Sequence, residues 1–369
     1  MSRPDNAVRV ATFNAALARK GPGMLLRDLT RGDAQAEAVA EIILRVRPDI
    51  LLINELDADP EGRALAGFVE LLAKGAGGQE GIDYQAWQGP QNIGEPSDLD
   101  LDQDGTAAGP GDAWGFGKFP GQYAMAVLSR LPFEPDAIRS WRLLRWSQMP
   151  RARRPMKPDG IPFHPDAVWE AMRLSSKSHW TVPIPLPDGR ALTLLAAHPT
   201  PPVFDGPEDR NGKRNADEIR LLIDILEGAD WLVDDAGRAG GLSSTGPVVV
   251  AGDLNADPQG GDGIRAQIGA LVSHPRLTDP QPKSRGGEAA GRRDDGDPRL
   301  STADWPNAPG GPLRLRVDYV LPSRDLTVLG SGVFWPAADD PLSRLTSGGR
   351  RPASSDHRLV WVDIALGSP

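Results

Sequence analysis

Apolar residues recur at two spacings along the chain, and this pattern predicts strands and helices in mixed order. Residues 8–13 form a strand-like apolar run close to the N-terminus. Apolar residues then recur at helical spacing from Ala36 to Ile43, and Pro48 ends this helix. Residues 49–53 predict a second buried strand. The chain therefore opens as a strand, a helix and a strand.

The same alternation continues towards the C-terminus. Further strands are predicted at residues 123–128, 180–184, 191–197, 248–251, 315–321 and 359–364. The second and third of these predict a hairpin about the turn sequence PDGR. Helices are predicted around 167–174 and from Ile219 to Leu226.

Three segments show little periodicity and predict long loop insertions, near 75–121, 145–178 and 281–312. No internal repeat is present, and no separate core follows the last insertion. We therefore expect one α/β domain over residues 1–369.

Composition and charge narrow the function classes. The 369 residues carry a formal net charge of −9 and no cysteine. Disulfides, thiolate metal sites and a cysteine nucleophile are thus excluded. The negative charge disfavours sequence-independent binding of nucleic acid, which relies on Lys and Arg.

The sequence gives little information on location or protein partners. No stretch reaches the roughly 18 apolar residues that a membrane span needs, and the N-terminus lacks the pattern of an export signal. We expect a soluble protein without a membrane span, cytoplasmic unless an export signal was trimmed. No protein partner is evident from the sequence.

Polar residues follow three of the predicted strands. Asn14 ends the first strand and Glu55 ends the second, while His198 leaves a later one. Polar residues after buried strands tend to meet at one sheet edge, where many α/β folds bind ligands. The alternatives are a turn role for Asn14 and a structural hydrogen-bond role for His198.

The segment GDLN places Asp253 and Asn255 after the apolar run VVVA. As alternating positions of an extended segment, the two side chains would share one face. Asp can deprotonate a water while Asn donates to a phosphate oxygen, as in-line phosphoryl transfer requires. The alternative is an Asx turn that ends the strand.

Asp318 lies inside the apolar run RVDYVLP, where a carboxylate needs a compensating partner. His357 in SSDH is the candidate for that partner, and Asp356 beside it is a candidate metal ligand. An aspartate bound to one histidine nitrogen fixes the tautomer and leaves the other nitrogen for a phosphate.

Six segments in this order, TFN, INE, AAHPTPP, GDLNADP, RVDYVLP and SSDH, resemble the endonuclease/exonuclease/phosphatase superfamily. They extend from Thr12 to His357. The resemblance implies a four-layer α/β sandwich, in which two packed mixed β-sheets are flanked by helices, with a Mg²⁺ or Mn²⁺ site at one end of the sheets. The roles that it implies cover eight residues: metal binding or support by Asn14, Glu55 and Asp356, water activation by Asp253, transition-state stabilisation by Asn255 and His198, and completion of the phosphate site by Asp318 and His357.

Four further cationic residues are candidates for substrate binding. Lys177 and His179 precede the strand before His198, where they would bind a phosphate or lie in a solvated strand start. Arg210 and Arg214 open a helix, and a helix N-terminus can bind phosphate. The alternative for these two arginines is pairing with nearby acidic residues.

An acidic loop, SDLDLDQDG, resembles the start of a calcium-binding loop. Asp100, Asp102 and Asp104 alternate before a glycine, but an EF-hand would need Glu at the position of Gly111. A structural Ca²⁺ site outside an EF-hand is one interpretation, with Asp112 as an additional ligand. A solvated acidic loop is the other.

The leading hypothesis is therefore metal-dependent hydrolysis of a small or lipid-derived phosphoester, as a phosphodiesterase or phosphatase. A Mg²⁺-dependent nuclease is the first alternative. The second is a non-catalytic calcium-binding interaction module.

Overall fold

A computed structural model describes residues 3–242, 246–347 and 353–367. The strands are β1 Ala7–Leu17, β2 Ile50–Leu56, β3 Gln85–Trp87, β4 Ala126–Ser129, β5 Arg139–Ser140, β6 His179–Pro185, β7 Ala191–Ala197, β8 Val248–Asp253, β9 Ala303–Trp305, β10 Leu313–Leu315, β11 Asp318–Pro322, β12 Val328–Val333 and β13 Val360–Ala365. The α-helices are α1 Met24–Arg31, α2 Ala34–Val46, α3 Arg63–Lys74, α4 Asp166–Ala171, α5 Arg210–Glu227, α6 Arg265–Val272 and α7 Arg285–Ala290.

Most of these strands belong to two large mixed sheets. The first sheet has the strand order β12-β13-β1-β2-β4-β3, and the second has β11-β8-β7-β6-β5. Each contains one parallel pair, β1 with β2 and β7 with β8, among antiparallel pairs. β9 and β10 form a separate two-stranded ribbon.

The two sheets pack face to face around an apolar core. Strand alternation points Val8 and Val10 of the first sheet towards Val249 and Ala251 of the second. These residues are at most 3% exposed, so the inter-sheet core excludes water.

Helices cover the outer face of each sheet. α1, α2 and α3 pack on the first sheet, where Phe13 and Ile53 face helix residues such as Phe68. α5 and α6 pack on the second sheet, with Leu222 and Ile268 against Val250. The layers therefore run helix, sheet, sheet, helix, which confirms the expected four-layer sandwich.

The polar segment 281–312 is more structured than the sequence indicated. It contains α7, a 3₁₀ turn and β9, and it brings Ala303 into a bridge with His357. Its elements have three to six residues, too short to show a hydrophobic period.

Within the described ranges, no helix is both long enough and apolar enough to cross a membrane.

Candidate active site

The ends of the central strands bring the predicted polar residues together between the sheets. Val8 and Val10 lie in the inter-sheet core, so Asn14 lies on the same inner face of β1. Val249 and Ala251 likewise place Asp253 inward at the end of β8. Asp318 opens β11 directly opposite Asp253 in the antiparallel register.

Asn14 connects the two sheets through its side-chain amide. Its Nδ2 donates to Glu55 Oε1 at 3.1 Å and to Asp253 Oδ2 at 2.9 Å. Its Oδ1 accepts from the Ala16 backbone N–H at 3.1 Å. Asn14 therefore holds two carboxylates of the site in place, while its side-chain oxygen accepts a hydrogen bond from the backbone.

Glu55 reaches this site because the backbone departs from regular strand geometry. Strict alternation would place Glu55 on the helix-covered face with Ile53, but Glu55 has a left-handed φ of 59°. The pairing of β1 with β2 also shifts register between Asn14 and Leu17. A non-glycine residue at positive φ is uncommon and costs free energy, and such residues cluster at functional sites.

Asn255 does not share an extended face with Asp253, as the sequence interpretation had assumed. β8 ends at Asp253, and Asn255 has a left-handed φ of 53°. Its backbone N–H donates to Asp253 Oδ1 at 2.9 Å, which is the Asx turn of the alternative interpretation. Its Nδ2 donates to the Pro199 carbonyl at 3.0 Å, so Asn255 is fixed beside the His198 loop.

Asp318 and His357 form the expected buried pair. His357 Nδ1 lies 3.0 Å from Asp318 Oδ2 and 3.7 Å from Asp253 Oδ2. Burial lowers the pKa of His357, but the charges of Asp318 and Asp253 outweigh it and raise the pKa well above its ordinary value. The raised pKa favours a protonated ring, whose Nδ1–H donates to Asp318.

Asp253 is the carboxylate on which these groups converge. Burial raises the pKa of Asp253 to about 6. The His357 charge opposes this rise, and the Asp318 charge adds to it. His198 Nε2 lies 3.5 Å from its Oδ2. A carboxylate with a pKa near neutrality suits a general base that operates near neutral pH.

His198 and Lys177 are buried nitrogen-bearing side chains that interact with Asp253. Burial, together with the charges of Lys177 and His357, lowers the pKa of His198 well below its usual value, so its ring is neutral. Burial also lowers the pKa of Lys177, while Glu218, Glu55 and Asp253 oppose that effect. Lys177 is 4% exposed and therefore lies inside the structure, which corrects the solvated alternative.

Trp305 and Thr302 belong to the site but were not identified from the sequence. Trp305 Nε1 donates to Asp356 Oδ2 at 2.9 Å, and its ring lies edge-on to His357 at 5.5 Å. Thr302 Oγ1 accepts from the Asp318 N–H at 3.0 Å. Both residues come from the polar 281–312 segment, where no sequence pattern singled them out.

Glu218 and Asn215 in α5 support the His198 loop and were also missed. Glu218 Oε2 accepts from the Thr200 N–H at 2.6 Å. Asn215 Nδ2 donates to the carbonyls of Thr200 and Leu254, at 2.8 and 2.9 Å. Polar residues on the buried face of an amphipathic helix were the only available signal.

The structure corrects the substrate-binding interpretation of His179. Its Nδ1 lies 2.7 Å from Ser175 Oγ and its Nε2 lies 2.9 Å from the Glu218 carbonyl. Both ring nitrogens are engaged within the fold, and the residue is 1% exposed. His179 is therefore a structural residue.

Arg214 and Arg210 are also corrected. Arg214 Nε donates to the Leu174 carbonyl at 2.9 Å, and its Nη2 donates to the carbonyls of Trp114 and Arg173. Arg210 pairs with Glu208. Both arginines line a small cavity that includes none of the residues around Asp253.

The acidic loop groups a different set of residues from the one expected. Asp100, Asp102 and Asp112 offer carboxylate oxygens within 4.8 Å of one another. Asp104 is not part of this group, and its Oδ1 accepts from the Thr106 N–H at 2.9 Å. The additional residue Asp112 thus replaces Asp104.

A sequence profile of the Endonuclease/Exonuclease/phosphatase family matches residues 11–357. The chain belongs to this family. None of the curated proteins compared with the sequence matches it.

Solved structures of the Endonuclease/Exonuclease/phosphatase fold resemble the chain over nearly its whole length. A protein described as endonuclease/exonuclease/phosphatase from Beutenbergia cavernae DSM 12333 is 20% identical, with a TM-score of 0.55 over 98% of this chain and 72% of that one. A family protein from Bacteroides thetaiotaomicron is 15% identical, with a TM-score of 0.51 over 98% and 99%. TDP2 from D. rerio, complexed with a single strand DNA product, is 13% identical, with a TM-score of 0.50 over 98% and 100%. At these identities, the likeness shows the fold.

Members of the Endonuclease/Exonuclease/phosphatase family are generally hydrolytic phosphoesterases that depend on a divalent metal, and the chain has acidic residues that fit one. Burial and the Asp356 charge raise the pKa of Glu55, although the Asn14 hydrogen bond and the His357 charge oppose this rise, so Glu55 and Asp356 repel each other. A divalent cation would relieve this repulsion. Asp253, Asp318 and His357 also offer ligand atoms within 4.8 Å of one another.

Proposed function

We propose that this chain hydrolyses a phosphoester in the presence of Mg²⁺ or Mn²⁺, as a phosphodiesterase or phosphatase, by in-line attack of water. The observation that carries the proposal is the position of Asp253. It is buried between the sheets, held by Asn14, and faced by His198 and His357.

Asp253 would accept the proton of the attacking water. One oxygen is fixed by the Asn14 amide and the other by the Asn255 backbone N–H, which orients the carboxylate. An oriented base of this kind typically contributes about 10²–10⁴-fold in rate. Because water attacks directly, no covalent enzyme intermediate forms.

Glu55 and Asp356 would hold the metal ion, with Asn14 as the residue that orients Glu55. Both metal ligands are oxygen donors, which Mg²⁺ and Mn²⁺ prefer. The bound ion would neutralise phosphate charge and stabilise the leaving oxygen. Trp305 orients Asp356 through its indole N–H.

His198, Asn255 and Lys177 would stabilise the phosphate in the transition state. The neutral His198 ring offers one N–H, and the Asn255 amide retains one N–H besides that donated to Pro199. Lys177 adds a positive charge in a water-excluded region, where electrostatic stabilisation is strongest. Asp318 holds His357, so that its second ring nitrogen can donate to the phosphate.

A small or lipid-derived substrate is our first choice because of the net charge of −9. A nuclease is the second candidate. The observation that favours it is the similarity in fold to D. rerio TDP2, which was solved with a single strand DNA product. Binding of a nucleic acid through its phosphates weakens steeply with salt. Nicking of a plasmid at physiological salt would favour the nuclease.

The direct test is hydrolysis of bis(p-nitrophenyl) phosphate and of a phosphomonoester panel. We expect EDTA to abolish turnover and Mg²⁺ or Mn²⁺ to restore it. Asp253→Ala should lower the rate of turnover by at least about 10²-fold. Asp104→Asn, in an exposed turn, is the matched control and should keep wild-type rates. Turnover that survives both EDTA and Asp253→Ala contradicts the proposal. Calcium stabilisation without hydrolysis of any substrate would instead support an interaction module.

A further inference from the structure

The acidic loop contains buried carboxylate oxygens that the fold leaves without partners. Asp112 is 3% exposed, and its Oδ1 accepts from the Leu101 N–H at 2.8 Å. Its Oδ2 is buried and has no hydrogen-bond partner in the described structure. Asp100 is similar: its Oδ2 accepts from the Gly105 N–H at 3.1 Å, and its buried Oδ1 has no partner among the described residues. Such oxygens are costly unless a hydrogen bond or a cation compensates them.

The described part of the chain places no cation on these carboxylates. Among the described residues, no Lys, Arg or His lies within 4.0 Å of a carboxylate oxygen of Asp100, Asp102 or Asp112. Burial raises the pKa of Asp102, and the charges of its acidic neighbours raise it further. The loop thus gathers three carboxylates within 4.8 Å without the positive charge that would normally balance them.

A glycine allows the two sides of the loop to approach. A Cβ at Gly111 would lie 2.0 Å from Asp102 Oδ2, so any side chain there would displace that carboxylate. The segment before Asp112 therefore closes directly on Asp102. This approach brings residues distant by about ten positions into one cluster of oxygen donors.

We propose that Asp100, Asp102 and Asp112 bind a Ca²⁺ ion. Ca²⁺ takes six to eight oxygen ligands at flexible geometry, including several carboxylates, whereas Mg²⁺ keeps most of its waters and binds one or two carboxylates. A cluster of three carboxylates is therefore better suited to Ca²⁺. The proposal does not depend on the hydrolytic function.

The bound ion would stabilise the part of the chain that leads to Lys177. The loop continues to Gly115, whose backbone N–H donates to the Asn92 carbonyl at 3.1 Å, and the Asn92 N–H donates to the Lys177 carbonyl at 3.0 Å. On the other side, His164 Nε2 lies 3.0 Å from the Leu101 carbonyl. Calcium should therefore raise the melting temperature of the whole domain, as any ligand of the native state does.

The test is calcium titration of the full chain after removal of metals, followed by calorimetry and by thermal unfolding. We expect a Kd of about 10⁻⁴–10⁻³ M, the range of extracellular calcium modules, and a melting temperature that rises with calcium. Asp112→Asn should weaken binding by about tenfold or more, because it removes a charged ligand. Asp104→Asn is the matched control, since that carboxylate lies outside the cluster, and should bind calcium as the wild type does.

Two further variants keep the outcome interpretable. Asp102→Asn tests the site if Asp112→Asn does not fold, because within the described residues the Asp102 carboxylate accepts a hydrogen bond from the Asp104 N–H alone. Asp253→Asn should retain calcium binding, which separates this site from the candidate active site. The absence of a calcium response in the wild type up to about 10 mM, or equal Kd values for the wild type and Asp102→Asn, would overturn the proposal.

Discussion

At the scale of single residues, Asp318 and His357 are expected to work as one unit. Their atoms lie 3.0 Å apart, and the Asp318 charge is the main reason that His357 keeps its proton. Asp318→Asn and His357→Gln should each lower kcat/KM by about 10²-fold, and the double variant should lose little more. A double-mutant cycle on one chromogenic diester measures this coupling. Additive losses would show that the two residues act separately.

Lys177 and His179, two positions apart, should differ in what their substitution changes. Lys177→Met removes an ammonium near Asp253 but keeps the length of the side chain, so kcat/KM should fall by about 10²-fold while stability is retained. His179→Gln disturbs two buried hydrogen bonds, so it should lower the free energy of unfolding by about 1–3 kcal/mol with little change in kcat/KM. Urea unfolding and steady-state kinetics of both variants check this. The reverse pattern would contradict the assignment.

Where a polar residue follows a regular strand, the sequence predicted which side chains lie together. Asn14, Asp253 and His198 were found in this way, and they do meet. It failed for Arg214, because its charge says nothing of the backbone carbonyls that surround it. The left-handed backbone at Glu55 was equally invisible, since a glutamate gives no local signal for positive φ.

At the scale of elements, the parallel pair β7 and β8 sets the distance between His198 and Asp253. A Cβ at Gly252 would lie 1.9 Å from the Ala197 carbonyl oxygen, and Gly252 has a φ of 155°. Gly252→Ala should therefore lower the free energy of unfolding by about 2–4 kcal/mol and also reduce activity.

Gly269→Ala in α6 is the matched control for this substitution. A Cβ there meets nothing within 4 Å, and Ala is favoured over Gly in a helix by about 0.5–1 kcal/mol. Urea unfolding of both variants measures the contrast. Equal stability of the two variants would contradict the close approach of β7 and β8.

The strands were more predictable than the helices and insertions. Apolar runs located β1, β2, β7, β8 and β13 because each is buried in a sheet. The helices α1 and α3 and the short elements of 281–312 were not identified. Their role depends on tertiary contacts, such as that between the rings of Trp305 and His357. A local sequence pattern does not reveal such contacts.

At the scale of the whole molecule, His164 makes folding sensitive to acid. Burial lowers its pKa from 6.5 to about 4, so the folded state binds this proton less readily than the unfolded chain. Its contribution to stability is present in full above pH 6.5 and is lost as the pH falls towards 4, by about 3 kcal/mol.

His164→Gln isolates this contribution, because glutamine can still donate to the Leu101 carbonyl but does not titrate. Between about pH 7 and pH 4, the wild type should lose about 3 kcal/mol more unfolding free energy than the variant. Urea unfolding at both pH values provides the comparison. Equal losses would show that His164 is not the responsible group.

The order of the six family-like segments predicted the architecture of nearly the whole chain. Buried strands that end in polar residues recur from Thr12 to His357. The sequence could not define the substrate, since the phosphate-handling centre is shared within the family and the loops around it differ. The net charge of −9 bears on association with nucleic acid and leaves open the chemistry proposed for Asp253.

The most direct test of the account measures how hydrolysis depends on the Mn²⁺ concentration in the wild type, Glu55→Gln and Asp253→Asn. If Glu55 holds the metal, Glu55→Gln should raise the Mn²⁺ concentration for half-maximal activity by about tenfold or more. If Asp253 activates the water, Asp253→Asn should lower kcat by at least about 10²-fold at saturating Mn²⁺. Wild-type hydrolysis that is independent of metal, or unchanged kcat in Asp253→Asn, would contradict the central claim.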